Sequence, residues 1–64
     1  MSIPEAKRYV GKKCWLTWTD RLGQWHGKVL RVQAVRFLSM YGSYIIGDGE
    51  EILLERVAEI YTVE

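Results

Sequence analysis

The sequence predicts a mostly-β fold, a small five-stranded, strongly bent antiparallel barrel preceded by a short N-terminal helix. Three observations predict it. Apolar and polar side chains alternate with period two over residues 12–19, which is the signature of a half-buried strand. Turn-forming residues then punctuate the chain at intervals of about 8–12 residues, as in barrels and sandwiches. Finally, the chain has only 64 residues, and a sheet that closes on itself is the economical way to hide strand edges at that length.

The elements follow in order. Ser2 or Ile3 is placed to cap a helix, with Pro4 and Glu5 suited to its first turn and Gly11 to its stop, so residues 3–10 are expected to be helical. Two turns cannot stand alone, so Ile3, Ala6 and Val10 are expected to pack on the rest. In the first strand, Cys14, Leu16 and Trp18 share the inner face, while Lys13, Trp15, Thr17 and Thr19 point outward. Residues 20–24 contain Gly23 and read as a hairpin connection. A second strand follows over residues 25–33, in which Gly27 marks a sharp bend or a close backbone approach. No strong turn separates it from residues 34–41. The pair therefore reads either as one long bent strand or as two strands meeting at Gln33-Ala34. Turns at residues 41–43 and 47–50 bracket a short strand over 44–46. Residues 51–55 form another strand, residues 56–58 a single 3-10 turn, and residues 59–63 the closing strand. Residues 1–64 thus form one domain, with the barrel spanning 12–63.

Composition bounds the function. A hydrophobic share of 48% with 27% charged residues is that of a globular chain. Cys14 is the only cysteine and His26 the only histidine, so neither an intrachain disulfide nor a Cys/His metal site is available, and no cofactor is expected. The single cysteine and the lack of a signal peptide point to the cytoplasm. No apolar run reaches the ~20 residues that span a bilayer, so no membrane role is expected. A domain this small buries little of its surface, which makes homo-oligomerisation the natural route to stability.

Charge is divided along the chain. Residues 1–36 carry eight Lys and Arg against two carboxylates, a net of +6; residues 37–64 carry one Arg against six carboxylates, a net of −5. Two explanations stand side by side: an anion-binding face, or a basic edge of one subunit meeting the acidic edge of another.

The order of elements resembles the Sm-like family within the SH3-like small barrels. Residues 4–11 running into Lys12-Lys13-Cys14-Trp15-Leu16 look like that family's N-terminal helix and first strand. Residues 20–23, followed by His26-Gly27-Lys28-Val29-Leu30, look like its second-strand segment, and residues 52–60 have the spacing of its final strand pair. The resemblance implies a barrel that joins others of its kind through edge strands. It does not carry over the family's uridine reader. That site pairs an Asp with an Asn, whereas Gln33-Ala34-Val35-Arg36-Phe37 has neither; of the family's second signature only Arg56 offers a match.

The candidate binding residues are Lys13, Trp15, Trp25, Lys28, Arg31, Arg36 and Arg56. Outward aromatic rings beside Lys and Arg suit base stacking with phosphate contacts, as on RNA or single-stranded DNA. The same rings equally suit a subunit interface or the closing of a barrel's ends, and the same cations suit ion pairs with Glu50, Glu51 or Glu55. Gly47-Asp48-Gly49 reads as a turn, since the acidic spacing of a calcium loop is missing. His26 has only Asp20 as a carboxylate nearby in sequence, and no nucleophile is apparent, so no catalytic residue is assigned. The expected function is that of an oligomeric barrel offering a basic and aromatic surface to RNA or single-stranded DNA; the alternative is a protein-interaction or assembly module.

Overall fold

The computed structural model describes residues 1–63. A helix α1 (Ile3–Lys7) leads into strands β1 (Lys13–Thr19), β2 (Trp25–Arg31), β3 (Ala34–Leu38), β4 (Gly42–Gly47) and β5 (Glu50–Leu53); a 3-10 turn (Leu54–Arg56) then precedes β6 (Val57–Thr62). The strands form two three-stranded antiparallel sheets, ordered β2-β1-β6 and β3-β4-β5.

The helix starts where its caps require. Ser2 Oγ accepts a hydrogen bond from the Glu5 N–H at 3.3 Å, and Pro4 occupies the first turn, where no N–H is needed. It ends earlier than residue 10. The N–H groups of Arg8, Tyr9 and Val10 donate to the carbonyls three residues back, winding residues 8–10 into 3-10-like turns. That period of three determines which side chains face inward. Ala6 is fully buried, Ile3 and Tyr9 pack against the core, and Val10 is exposed, so Tyr9 takes the place expected of Val10.

β1 has the predicted faces. Cys14, Leu16 and Trp18 are buried, while its register with β2 runs unbroken from Lys13↔Arg31 to Thr19↔Trp25. Gly27 therefore makes no break in the strand. Its bare α-carbon instead accommodates the Trp15 ring; a β-carbon there would sit 2.9 Å from that ring. The bend falls at Val32-Gln33. The Val32 N–H donates to the Lys12 carbonyl at 3.0 Å in the first sheet, and the Gln33 N–H donates to the Ile46 carbonyl at 2.8 Å in the second. This change of partner decides between the two readings of residues 25–41: they form two strands, β2 and β3, meeting beside Gln33-Ala34, and the strand count is six rather than the expected five. Gly47 makes the corner possible, because a β-carbon on it would collide with the Arg31 carbonyl.

The 3-10 turn lies two residues earlier than expected, at Leu54–Arg56, and buries Leu54. β6 then returns antiparallel to β1, with a register shift between Thr17 and Trp18. The two sheets and α1 enclose Ala6, Cys14, Leu16, Trp18, Leu30, Val32, Ile45, Ile52 and Leu54, with no buried polar or charged residue among those described. Each fully buried Leu or Ile contributes about 1.5–3 kcal/mol.

Candidate interaction surface

Residues paired across antiparallel strands point to the same face, so the register of the β2-β1-β6 sheet defines its outer surface. Four rows cross it. Lys13 lies opposite Arg31; Trp15 lies between Val29 and Tyr61; Thr17 lies between Gly27 and Glu59; and Thr19 lies opposite Trp25. The Trp25 side chain stands 68% exposed and Tyr61 49%, with Val29 also exposed and Trp15 half-buried across Gly27. The surface is thus an aromatic and aliphatic platform with cations at one end and a carboxylate along the β6 edge.

The structure brings four of the seven candidate residues together here: Lys13, Trp15, Trp25 and Arg31. The other three lie elsewhere. Lys28 is in register with Leu16, on the opposite face of the sheet, and its Nζ is 3.4 Å from Glu50 Oε2. Arg36 is in register with Tyr44 on the second sheet. Arg56 donates from Nη1 to the Asp20 carbonyl at 2.6 Å and so ties the 3-10 turn to the β1–β2 connection. Sequence reading missed Val29, Glu59 and Tyr61. The alternation Glu59, Tyr61, Val63 carried a signal, but only the pairing of β6 with β1 assigns that set to the face of Trp15.

The charge division of the chain is partly met within the molecule. Lys28–Glu50 is an ion pair that does so; Arg31 is tied in differently, its backbone N–H donating to Asp48 Oδ2 at 3.1 Å and its Nη1 to the neutral Gly11 carbonyl at 2.8 Å. Lys28, Arg31 and Arg56 thus all serve as internal ties. Such contacts leave fewer cations for phosphate than the sequence count suggests.

At the opposite end of the sheet, Asp20 organises the connection between β1 and β2. Its Oδ1 accepts the N–H groups of Leu22 at 2.8 Å and Gln24 at 3.0 Å, and its Oδ2 lies 2.8 Å from His26 Nε2. The hydrogen bond with His26, then those from the Gln24 and Leu22 backbone, hold the Asp20 carboxyl below its ordinary pKa. His26 stacks on Trp18 with ring centroids 5.5 Å apart, an arrangement that braces the hairpin. A cleft of about 350 Å³ opens beside it, walled by Trp18, Tyr44, Leu53 and Arg56. Among the described residues no three His, Cys, Asp or Glu side chains are grouped to hold a metal ion, and no helix is long and apolar enough to cross a membrane.

A second apolar patch lies at the β3–β4 hairpin, where Phe37, Leu38, Met40 and Tyr41 are exposed. Its residues 37–47 carry no charge. Compared with protein-family models, curated proteins and solved structures, the chain matches none.

Proposed function

We propose that this chain is a non-catalytic interaction module, built as a small SH3-like barrel of Sm-like strand order, that binds protein through the outer face of the β2-β1-β6 sheet. The carrying observation is the shared face of Trp15, Trp25, Val29 and Tyr61, four large side chains that a solitary soluble sheet has no reason to turn outward together. Aromatic side chains are enriched at protein interfaces, and covering apolar area stabilises a complex by about 25 cal/mol/Å² before the costs of association. In this reading β2 and β3 act as one bent strand, and β6 closes the barrel against β1.

A second reading, binding of RNA or single-stranded DNA, is favoured by one specific feature. Lys13 and Arg31 sit in the row beside Trp15, so phosphate contacts and base stacking would fall on neighbouring side chains. It ranks second because Glu59 shares the face and Arg31 is already engaged with Gly11.

Cross-linking of the chain in extract of its own cells tests the reading, with a Trp25→Ala/Tyr61→Ala variant of unchanged circular dichroism as control. The expected protein cross-links map to β1, β2 and β6 and disappear in the variant. Cross-links that persist in the variant contradict the proposal. Oligonucleotide binding that weakens steeply with salt, measured by fluorescence anisotropy, moves the function to the second reading.

A further inference from the structure

We infer that the partner for this face is a second copy of the same chain, stacked sheet on sheet about a two-fold axis that runs across the strands. The inference rests on reading the face as a protein interface, and it names the occupant. Two-fold contacts are self-complementary: if residue i meets residue j, then j meets i. The surface has the chemistry for that. On edge strand β2, Arg31 occupies the first row and Trp25 the last, six residues or about 20 Å apart. On edge strand β6, Tyr61 and Glu59 occupy the two middle rows.

Rotation about an axis across the strands sets β2 over β2 and β6 over β6, with directions opposed. The first row of each copy then lies over the last row of the other. Arg31, its Nη1 still donating in plane to the Gly11 carbonyl, lays the face of its guanidinium over the Trp25 ring of the second copy, and symmetry repeats the contact, giving two cation–π pairs. The middle rows also exchange. The Tyr61 hydroxyl donates to the Glu59 carboxylate of the second copy, again twice, and Val29 meets the level part of the face where Trp15 lies across Gly27. No like charges are opposed, because Lys13 comes over Thr19. Aligned sheets pack in this way at about 10 Å with strands within about 30° of each other.

The size of the face fixes the strength. Three strands of seven residues outline about 23 Å by 15 Å, below the ~800 Å² per partner of a standard interface. The dimer is therefore concentration-dependent, in the micromolar range or weaker, rather than obligate.

Sedimentation equilibrium of the full chain from micromolar to millimolar concentration tests this. The expected mass rises from one chain to two, and Trp25→Ala and Arg31→Ala each weaken association about tenfold. Orientation is read from a Lys13→Cys/Thr19→Cys variant. With a bis-maleimide of about 10 Å reach, matched to the separation of packed sheets, it is expected to give a covalent dimer, because position 13 of each copy lies over position 19 of the other, whereas Lys13→Cys alone is not; the native Cys14 is buried. A folded chain that stays monomeric at every concentration overturns the inference. If cross-links to a different protein are still lost in the Trp25→Ala/Tyr61→Ala variant, the interaction reading survives that failure. A dimer indifferent to Trp25→Ala overturns the inference and leaves the interaction reading to the cross-linking result, and a dimer whose double-cysteine variant does not cross-link overturns the antiparallel arrangement.

Discussion

Asp20 shows how much one side chain can organise on a surface. It accepts two backbone N–H groups with one oxygen and meets His26 with the other, while its own carbonyl receives Arg56. Its carboxyl is held below the ordinary value of 3.8, so the folded chain releases this proton more readily than the unfolded chain does. The associated stabilisation is complete above the unfolded carboxylate pKa and is lost as pH falls through the lower folded value. Melting temperature followed into the acid range should therefore fall more steeply for the wild type than for Asp20→Asn; parallel curves contradict the assignment. Gly47 and Gly27 make a second residue-scale prediction. Gly47→Ala drives a β-carbon into the Arg31 carbonyl, which has no room to yield, and is expected to cost about 3 kcal/mol in denaturant unfolding. Gly27→Ala meets only the edge of the Trp15 ring, so about 1 kcal/mol is expected, with a change in near-ultraviolet circular dichroism as the ring shifts.

At the scale of elements, local signals carried far and then stopped at identifiable points. The strand β1 was legible because its two faces meet different surroundings, apolar core within and an aromatic platform without. The turn at Asp20 was legible from its turn residues, and the helix start from Ser2 and Pro4. The helix end was not. The tightening to 3-10 geometry exchanges Val10 for Tyr9 on the buried side, and no local residue announces it. Truncation distinguishes the two periods: Tyr9→Ala is expected to cost about 2 kcal/mol and Val10→Ala under about 0.5 kcal/mol. The corner at Val32-Gln33 was legible only as one of two alternatives, two strands meeting at Gln33-Ala34 or a single bent strand, and local residues did not decide between them. It carries no Gly or Pro, and its cause, the bare α-carbon of Gly47 against Arg31, lies fourteen residues beyond Gln33 in sequence. Gly27, the glycine within the strand itself, drew the expectation of a bend or a close approach to the backbone, and it is the second: the Trp15 ring lies against its bare α-carbon. Of the candidate surface, Trp15 and Lys13 were legible from alternation, but Tyr61 and Glu59 joined them only through the β1–β6 register, which is a property of tertiary pairing.

For the whole molecule, the balance between core and surface is the governing fact. Nine apolar residues are buried, whereas two large apolar patches face outward, one on the β2-β1-β6 sheet and one at the β3–β4 hairpin. A chain of 64 residues gains little from so small a core, and covering either patch would add to it. The two patches differ in kind. The sheet face is bordered by Lys13, Arg31 and Glu59, which can orient a partner; the hairpin patch is uncharged along its length. The sheet face is therefore the one proposed to bind a partner. Residue-resolved NMR across a dilution series, repeated in extract of the chain's own cells, tests that assignment most directly. Concentration- or partner-dependent shifts are expected to concentrate on Trp15, Trp25, Val29, Arg31 and Tyr61; shifts confined to Phe37, Leu38, Met40 and Tyr41, with the sheet face unmoved, would contradict it.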